Sequence, residues 1–229
     1  MIEYESIKKY RFEVTRLEGK TAEISKAAFL RFPEYLRYLK AEAARGVEYV
    51  SSSEIAEDMH LSAVCVRKDL ALVASEPGKP RMGFAVMQLI GDLERALGYH
   101  RKTHACVVGA GRLGRAFLVY DGFEHYGISV VAAFDISPAQ VGALRGKPIY
   151  PMERLKEIAE REEVRLGILT VPGEAAQKAC DAMVEAGITA ILSFAPAYVR
   201  VPEGVTLRCE DLAATLASLS AEAAENGDH

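Results

Sequence analysis

No run of about 18 consecutive apolar residues occurs in this sequence, so no membrane-spanning helix is expected. Cysteine is scarce and scattered: Cys65, Cys106, Cys180 and Cys209 show no CxxC spacing. They read as reduced, mostly buried thiols of a cytoplasmic protein, with neither a metal nor a redox role. The histidines form no ligand pair, and His60, His100, His104 and His125 read as surface or capping residues. The opening MIEYESIKKYRFEVTRLEGK alternates charge and lacks the apolar centre of a secretory signal. Repeats and low-complexity tracts are missing too. What remains is a globular chain of 229 residues, half of them apolar. Two compact domains are expected, because a single core stops growing before about 250–300 residues.

The net charge of −4 is unevenly spread. Residues 1–103 carry 17 Lys and Arg against 15 Asp and Glu, whereas residues 104–229 carry 11 against 17. A basic half joined to an acidic half fits a DNA reader with a separate sensing module.

Residues 1–23 have mixed charge and weak periodicity, and read as an extension, either a short helix or disordered. Residues 24–99 carry helical patterns. One starts at Phe32 with Pro33 at the first helical position, repeats through Leu36, Leu39 and Ala43, and stops at Gly46. Ser52 or Ser53 caps a second helix that turns Ile55 and Met59 inward. After a tight turn at His60-Leu61, Ser62 caps a third helix, with Val66 and Leu70 inside. GKPRMGF (78–84) follows, then a helix through Val86, Leu89, Ile90 and Leu93 that ends at Gly98. Helix, helix-turn-helix, basic turn, helix is the order of a winged helix, with GKPRMGF as the wing. Contacts to DNA are expected from Arg67 and Lys68 on the recognition helix, from Ser51, Ser52 and Ser53 before it, and from Lys79 and Arg81 on the wing.

From about residue 100 apolar strands alternate with helices, which indicates a parallel sheet covered on both faces. Gly109-Ala110-Gly111-Arg112-Leu113-Gly114 follows the first strand directly and opens a helix. Gly109 permits the tight turn, Gly111 lets the backbone approach a pyrophosphate, and Gly114 brings helix onto strand. Asp135, at the end of the next strand, is placed to accept from the adenosine ribose hydroxyls and to repel a 2′-phosphate, favouring NAD(H) over NADP(H). Thr170-Val171-Pro172 and Phe194-Ala195-Pro196, at later strand ends, suit a flat nicotinamide ring. No second domain remains to hold a substrate, and no catalytic constellation sits at a strand end to supply a proton. The dinucleotide therefore reads as a signal, not a reagent, and the chain as a non-enzyme.

The segments ISKAAFLRFPEYLRYL, VSSSEIAEDMHLSAVCVRKDL, VVGAGRLGRA, YDGF, VVAAFDISP, TVPGEAAQ, ILSFAP and VPEGVTLR occur in this order. Over about residues 24–220 the chain thereby resembles the Rex family of redox-sensing transcriptional repressors. The resemblance implies a winged helix-turn-helix domain (24–99), a Rossmann domain (100–208) and a C-terminal helix and tail (209–229) swapped onto the partner of a homodimer. It implies that NADH closes the dimer and releases operator DNA, whereas NAD+ permits binding. It also implies a switch made by Arg37, Tyr120 and Asp211. An apolar pocket around Phe123, Phe194 and Pro196 would disfavour the charged ring of NAD+. The chain departs from the family pattern at Leu72-Val73, Glu76, Ser193 and Cys209-Glu210. Two alternatives stay open: a relative that binds NAD(H) with weak or altered DNA recognition, and an enzyme, since TVPGEAAQKACDAMVEAGI also resembles the CoA-binding domain of acyl-CoA ligases.

Overall fold

The computed structural model describes residues 11–15 and 21–227, in two compact units that divide between His100 and Arg101. In place of the expected helix or disorder, the first unit opens with an antiparallel hairpin, β1 (Arg11–Thr15) and β2 (Thr21–Ser25), with Phe12 opposite Ile24 and Val14 opposite Ala22. Both segments alternate apolar and polar residues, the period of a strand. The remainder of the expected extension, residues 1–10 and 16–20, lies outside the described residues.

Helix α1 (Lys26–Ala44) begins before Phe32. Ser25 caps it by accepting the Ala28 amide at 3.2 Å, and Pro33 sits inside the helix and not at its start. The reason is packing. Ala28, Phe32, Tyr35, Leu36 and Leu39 form one buried stripe, which outweighs the roughly 3 kcal/mol that an interior proline costs. After β3 (Tyr49–Val50), α2 (Ser52–Asp58) is capped by Ser51, one residue earlier than expected. Ser51 and Glu54 form a reciprocal capping box, which neither Ser52 nor Ser53 is spaced to make. Ser62 caps α3 (Ala63–Val73) as the sequence implies, with Val66 and Leu70 buried. Then β4 (Phe84–Ala85) pairs antiparallel with β3, and α4 (Val86–Leu97) ends on Gly98 at φ +73°. The four helices share one core.

The second unit runs β5 (Thr103–Val108), α5 (Arg112–Leu118), a 3-10 turn (Asp121–Tyr126), β6 (Ile128–Asp135), β7 (Gly142–Leu144), β8 (Lys147–Pro151), α6 (Leu155–Arg161), β9 (Leu166–Leu169), α7 (Gly173–Glu185), β10 (Ala190–Ser193), β11 (Thr206–Cys209) and α8 (Leu212–Gly227). The seven-stranded sheet has the order β11-β10-β9-β5-β6-β8-β7 and is parallel except for β7. The β7–β8 hairpin has no counterpart in the sequence reading, since its strands are short and carry Gly and Pro. Along β5, Ala105 and Val107 enter one core while Cys106 and Val108 enter the other, so both faces of the sheet are covered. The chain leaves β5 for β6 and β8 on one side and returns to β9 on the other. The strand ends at β5 and β9 therefore frame a crevice, where open α/β sheets hold ligands. Among the described residues no helix is long and apolar enough to cross a membrane.

Candidate functional sites

The crevice is built by three glycines with three different constraints. Gly109 has φ +100°, and a Cβ there would lie 2.7 Å from the Thr170 carbonyl oxygen. At Gly114 a Cβ would meet the Gly109 carbonyl oxygen at 1.8 Å, so only glycine lets α5 start against the loop. Gly111 faces open space, with nothing within 4 Å of a built Cβ. That space is where a phosphate can approach the backbone.

Three side chains pin this loop. Asp135 Oδ2 accepts the Ala110 amide at 2.6 Å, while its Oδ1 accepts the Ser137 amide at 2.8 Å. The Thr170 hydroxyl donates to the Gly109 carbonyl at 2.7 Å. Arg115 Nε lies 3.1 Å from the Ala110 carbonyl and 3.2 Å from Gln140 Oε1, tying the loop to the segment before β7. The spacing of the glycines signals the loop, but nothing in the sequence marks Arg115 as its brace.

A cleft of about 500 Å³ opens above the loop, and Gly109, Gly111, Asp135, Thr170, Val171 and Pro172 all line it. Ile136, Met152, Glu153 and Lys178, none singled out by the sequence, complete its walls. Ala110, within the loop, is buried, and Arg112 and Leu113 are exposed on the first turn of α5. Phe194 stands apart from this cleft, in an aromatic group. Its ring lies 4.8 Å from Phe117, Phe117 lies 6.0 Å from Phe123, and Tyr120 meets Phe123 edge-on at 5.0 Å. Phe117 is the missed member, a residue the helical pattern gives no reason to separate from ordinary core. Ala195 is buried, and the Pro196 carbonyl oxygen lies 3.0 Å from a Cβ built at Gly173, closing the start of α7.

The three positions expected to form a switch have local partners. Arg37, on α1, pairs with Glu34. Tyr120 packs on Phe123, and Asp211 accepts the Ala214 amide at 2.9 Å at the start of α8.

In the first unit, Ser51, Ser52, Arg67, Lys79 and Arg81 line a concavity of about 650 Å³, together with Glu76. Ser53 and Lys68 are exposed beside it. GKPRMGF is a tight hairpin. The Lys79 amide donates to the Gly83 carbonyl at 2.7 Å and the Gly83 amide to the Lys79 carbonyl at 2.9 Å, leaving Pro80-Arg81-Met82 at the tip. Arg81 adopts φ +64° there. Gly83 is required, since a Cβ would lie 2.1 Å from the Val50 carbonyl oxygen. Lys79 Nζ donates to the Tyr49 hydroxyl at 3.1 Å and sits 5.1 Å from the centre of that ring, and this hydrogen bond holds its pKa above the usual lysine value.

Helix α3, the expected recognition helix, is fixed by a buried carboxylate that the sequence reading missed. Asp69 accepts Arg31 Nε at 2.7 Å, Arg31 Nη2 at 3.0 Å and the Tyr35 hydroxyl at 2.8 Å, bolting α3 to α1. Within Val-Arg-Lys-Asp-Leu it looks like one member of a solvated charge run. Asp92 on α4 acts likewise at the wing's base, accepting the Ser75 amide at 2.8 Å and the Ser75 hydroxyl at 2.9 Å.

Known proteins match both units. A CoA binding domain model matches residues 100–197, and a model described as a putative DNA-binding protein N-terminus matches residues 23–71. The redox-sensing transcriptional repressor Rex of Chloroflexus aurantiacus is 38% identical over 200 residues, covering 87% of this chain and 94% of that protein. The Rex protein of Syntrophomonas wolfei is 39% identical over 202 residues, covering 88% and 96%. Among solved structures, RSP, a Rex-family repressor, in complex with beta-NAD+ and operator DNA superposes with a TM-score of 0.82 at 32% identity, covering 91% of this chain and 95% of RSP. RSP in complex with beta-NADH gives 0.78 at 32% identity, covering 89% and 96%. With such identity along nearly the full length of its relatives, the chain belongs to the Rex family of redox-sensing transcriptional repressors.

Proposed function

We propose that this protein represses transcription as a homodimer that binds operator DNA through its winged helices and senses the NADH/NAD+ ratio in its Rossmann units. NADH closes the dimer and releases the operator. The observation that carries the reading is the Asp135 clasp. A carboxylate at the end of β6 holds the glycine loop shut beneath a cleft whose floor, at Gly111, is open to a phosphate. RSP, bound to beta-NAD+ with operator DNA and separately to beta-NADH, supports the same pairing of ligands here.

NAD+ and NADH differ by one positive charge on the nicotinamide. The Phe117, Phe123 and Phe194 group offers an apolar wall against which the neutral ring is favoured. A hundredfold preference corresponds to about 2.7 kcal/mol, enough to swing a near-balanced dimer between two arrangements. The Leu212, Leu216 and Leu219 stripe of α8, exposed along the helix, supports a swap onto a second copy. Arg37, Tyr120 and Asp211 then carry the switch, and Ser51, Ser52, Ser53, Arg67, Lys68, Lys79 and Arg81 meet DNA. Because its relatives are named as transcriptional repressors, we read the chain as a non-catalytic sensor, working in the cytoplasm where its DNA and its reduced thiols belong.

A gel shift on operator fragments, with and without NADH, tests the reading. A shift abolished by NADH and retained with NAD+ is expected. NADH binding without any DNA shift would leave a sensor that has lost its operator. The match to a CoA binding domain gives a second reading, a CoA site. Asp135 disfavours it, because CoA carries a phosphate on the ribose that this carboxylate faces. Calorimetric titration with NADH and CoA side by side separates the two.

A further inference from the structure

The outward face of α3 carries an aliphatic side chain that the fold does not use. Val66, Asp69, Leu70 and Val73 bury one side of this helix. Val64, Arg67 and Lys68, spaced i, i+3 and i+4, share the opposite side. Val64 is 51% exposed and stands in the first turn, beside the Ser62 cap that accepts the Cys65 amide at 3.1 Å. An isolated apolar side chain on a surface needs no explanation. This one stands at the middle of a face whose neighbours are cations. Helix propensity does not account for it either, since a β-branched residue on an exposed turn is slightly unfavourable.

Recognition helices read base edges mainly with their N-terminal residues, and the one apolar feature of the major groove is the thymine 5-methyl group. We propose that Val64 is a specificity-determining residue that packs on a thymine 5-methyl group in the operator. This rests on the DNA-binding function proposed above. From Val64 to Lys68 is four residues, about 6 Å along the helix axis, against a base-pair rise of about 3.4 Å. The thymine therefore lies within two steps of the base pair or phosphate that Arg67 and Lys68 meet. Arginine and lysine supply attraction to the duplex, and Val64 supplies a preference at one position.

The test uses the full-length protein and a duplex recovered by it from a random-sequence pool. Each thymine of that duplex is replaced in turn by uracil, which deletes only the 5-methyl group. One replacement is expected to weaken wild-type binding about fourfold, the value of one buried methyl group. Val64→Ala should weaken binding to the parent duplex by at least as much, and should bind that one uracil duplex and the parent equally well. Val64→Thr, which keeps one methyl, should retain part of the discrimination. NADH binding by each variant reports that the fold is intact. If every uracil duplex weakens wild type and Val64→Ala in the same proportion, the proposal is overturned while DNA binding stands. If the pool yields no preferred duplex, the operator-binding function falls, and this assignment with it.

Discussion

Asp135 accepts from two backbone amides, those of Ala110 and Ser137, so it is a structural clasp beside the ribose contact proposed for it. Asp135→Ala leaves the Ala110 and Ser137 amides without their acceptor. It should weaken NADH binding by about tenfold, from a lost charge-assisted bond worth about 1.5–3 kcal/mol less the fraction that water restores. It should also erase the preference over NADPH. Asp135→Asn keeps the shape without the charge and can accept only one of the two amides, its NH2 facing the other. It should narrow that preference with a smaller loss of NADH affinity than Asp135→Ala. Competitive titration of the two nucleotides reads both, and an unchanged ratio in the two variants would remove Asp135 from specificity. On the wing, Lys79 and Arg81 look equivalent in the sequence, but the structure separates them. Lys79 is held on Tyr49, whereas Arg81 stands at the tip in a left-handed conformation. Arg81→Ala should lower the slope of log affinity against log salt by about one per subunit, hence about two for the dimer, and Lys79→Ala by less. Equal slopes would mean that Lys79 leaves the tyrosine when DNA arrives. The glycine spacing and Asp135 were readable because each needs only one residue type at one offset. Arg115, Lys178 and Phe117 were not, because their roles depend on which distant backbone or ring the fold brings to them.

Two elements depend on polar side chains that sequence patterning assigns to solvent. Asp69 is only 5% exposed and holds α3 to α1 through Arg31 and Tyr35. Asp69→Ala strands the buried Tyr35 hydroxyl and leaves Arg31 to water. It should cost about 2–3 kcal/mol in urea unfolding, with operator affinity falling further than NADH affinity. Equal losses for both ligands would show that the network serves stability alone. The wing has a sharper requirement. Gly83→Ala forces a Cβ against the Val50 carbonyl at φ +85°, so the β3–β4 pairing must open. DNA binding should be lost with NADH binding kept. The helix-turn-helix was legible because Ser62, Val66 and Leu70 fall at cap and core spacing. The start of α1 was not, because Pro33 resembles an N-terminal signal and only the buried stripe from Ala28 onward overrides it. Buried thiols and phenols also set the alkaline limit of these cores. Burial pushes Cys106 from 9.0 up to about 12, and raises Tyr35 and Tyr38 in the same direction. A group that ionises less readily when folded stabilises the fold fully below its unfolded pKa. That stability is lost as pH rises through the folded value. Urea midpoints should therefore be flat to about pH 9 and decline between 9 and about 12. Cys106→Ala should remove part of that decline.

At the scale of the whole molecule the chain separates its two chemistries: a basic concavity on the first unit and a dinucleotide cleft on the second. The charge asymmetry between the two halves made that division legible. The coupling between them was not, since it depends on two arrangements of a dimer and one sequence describes only the parts. If NADH releases the operator by biasing one of two arrangements, the effect must run both ways. Whatever factor NADH takes from operator affinity, the operator must take from NADH affinity. A thirtyfold loss in one direction, about 2 kcal/mol, requires a thirtyfold loss in the other. The measurement is NADH titration by its fluorescence, with and without a saturating operator duplex, beside operator titration with and without saturating NADH. NAD+, which favours the DNA-bound arrangement or is neutral to it, should show no loss in either direction. Matching factors would establish the coupling as a property of the binding equilibria. An NADH affinity indifferent to DNA would mean that the nucleotide and the operator address different populations of the protein, and that the Rossmann unit does not control the winged helix by shifting a shared equilibrium.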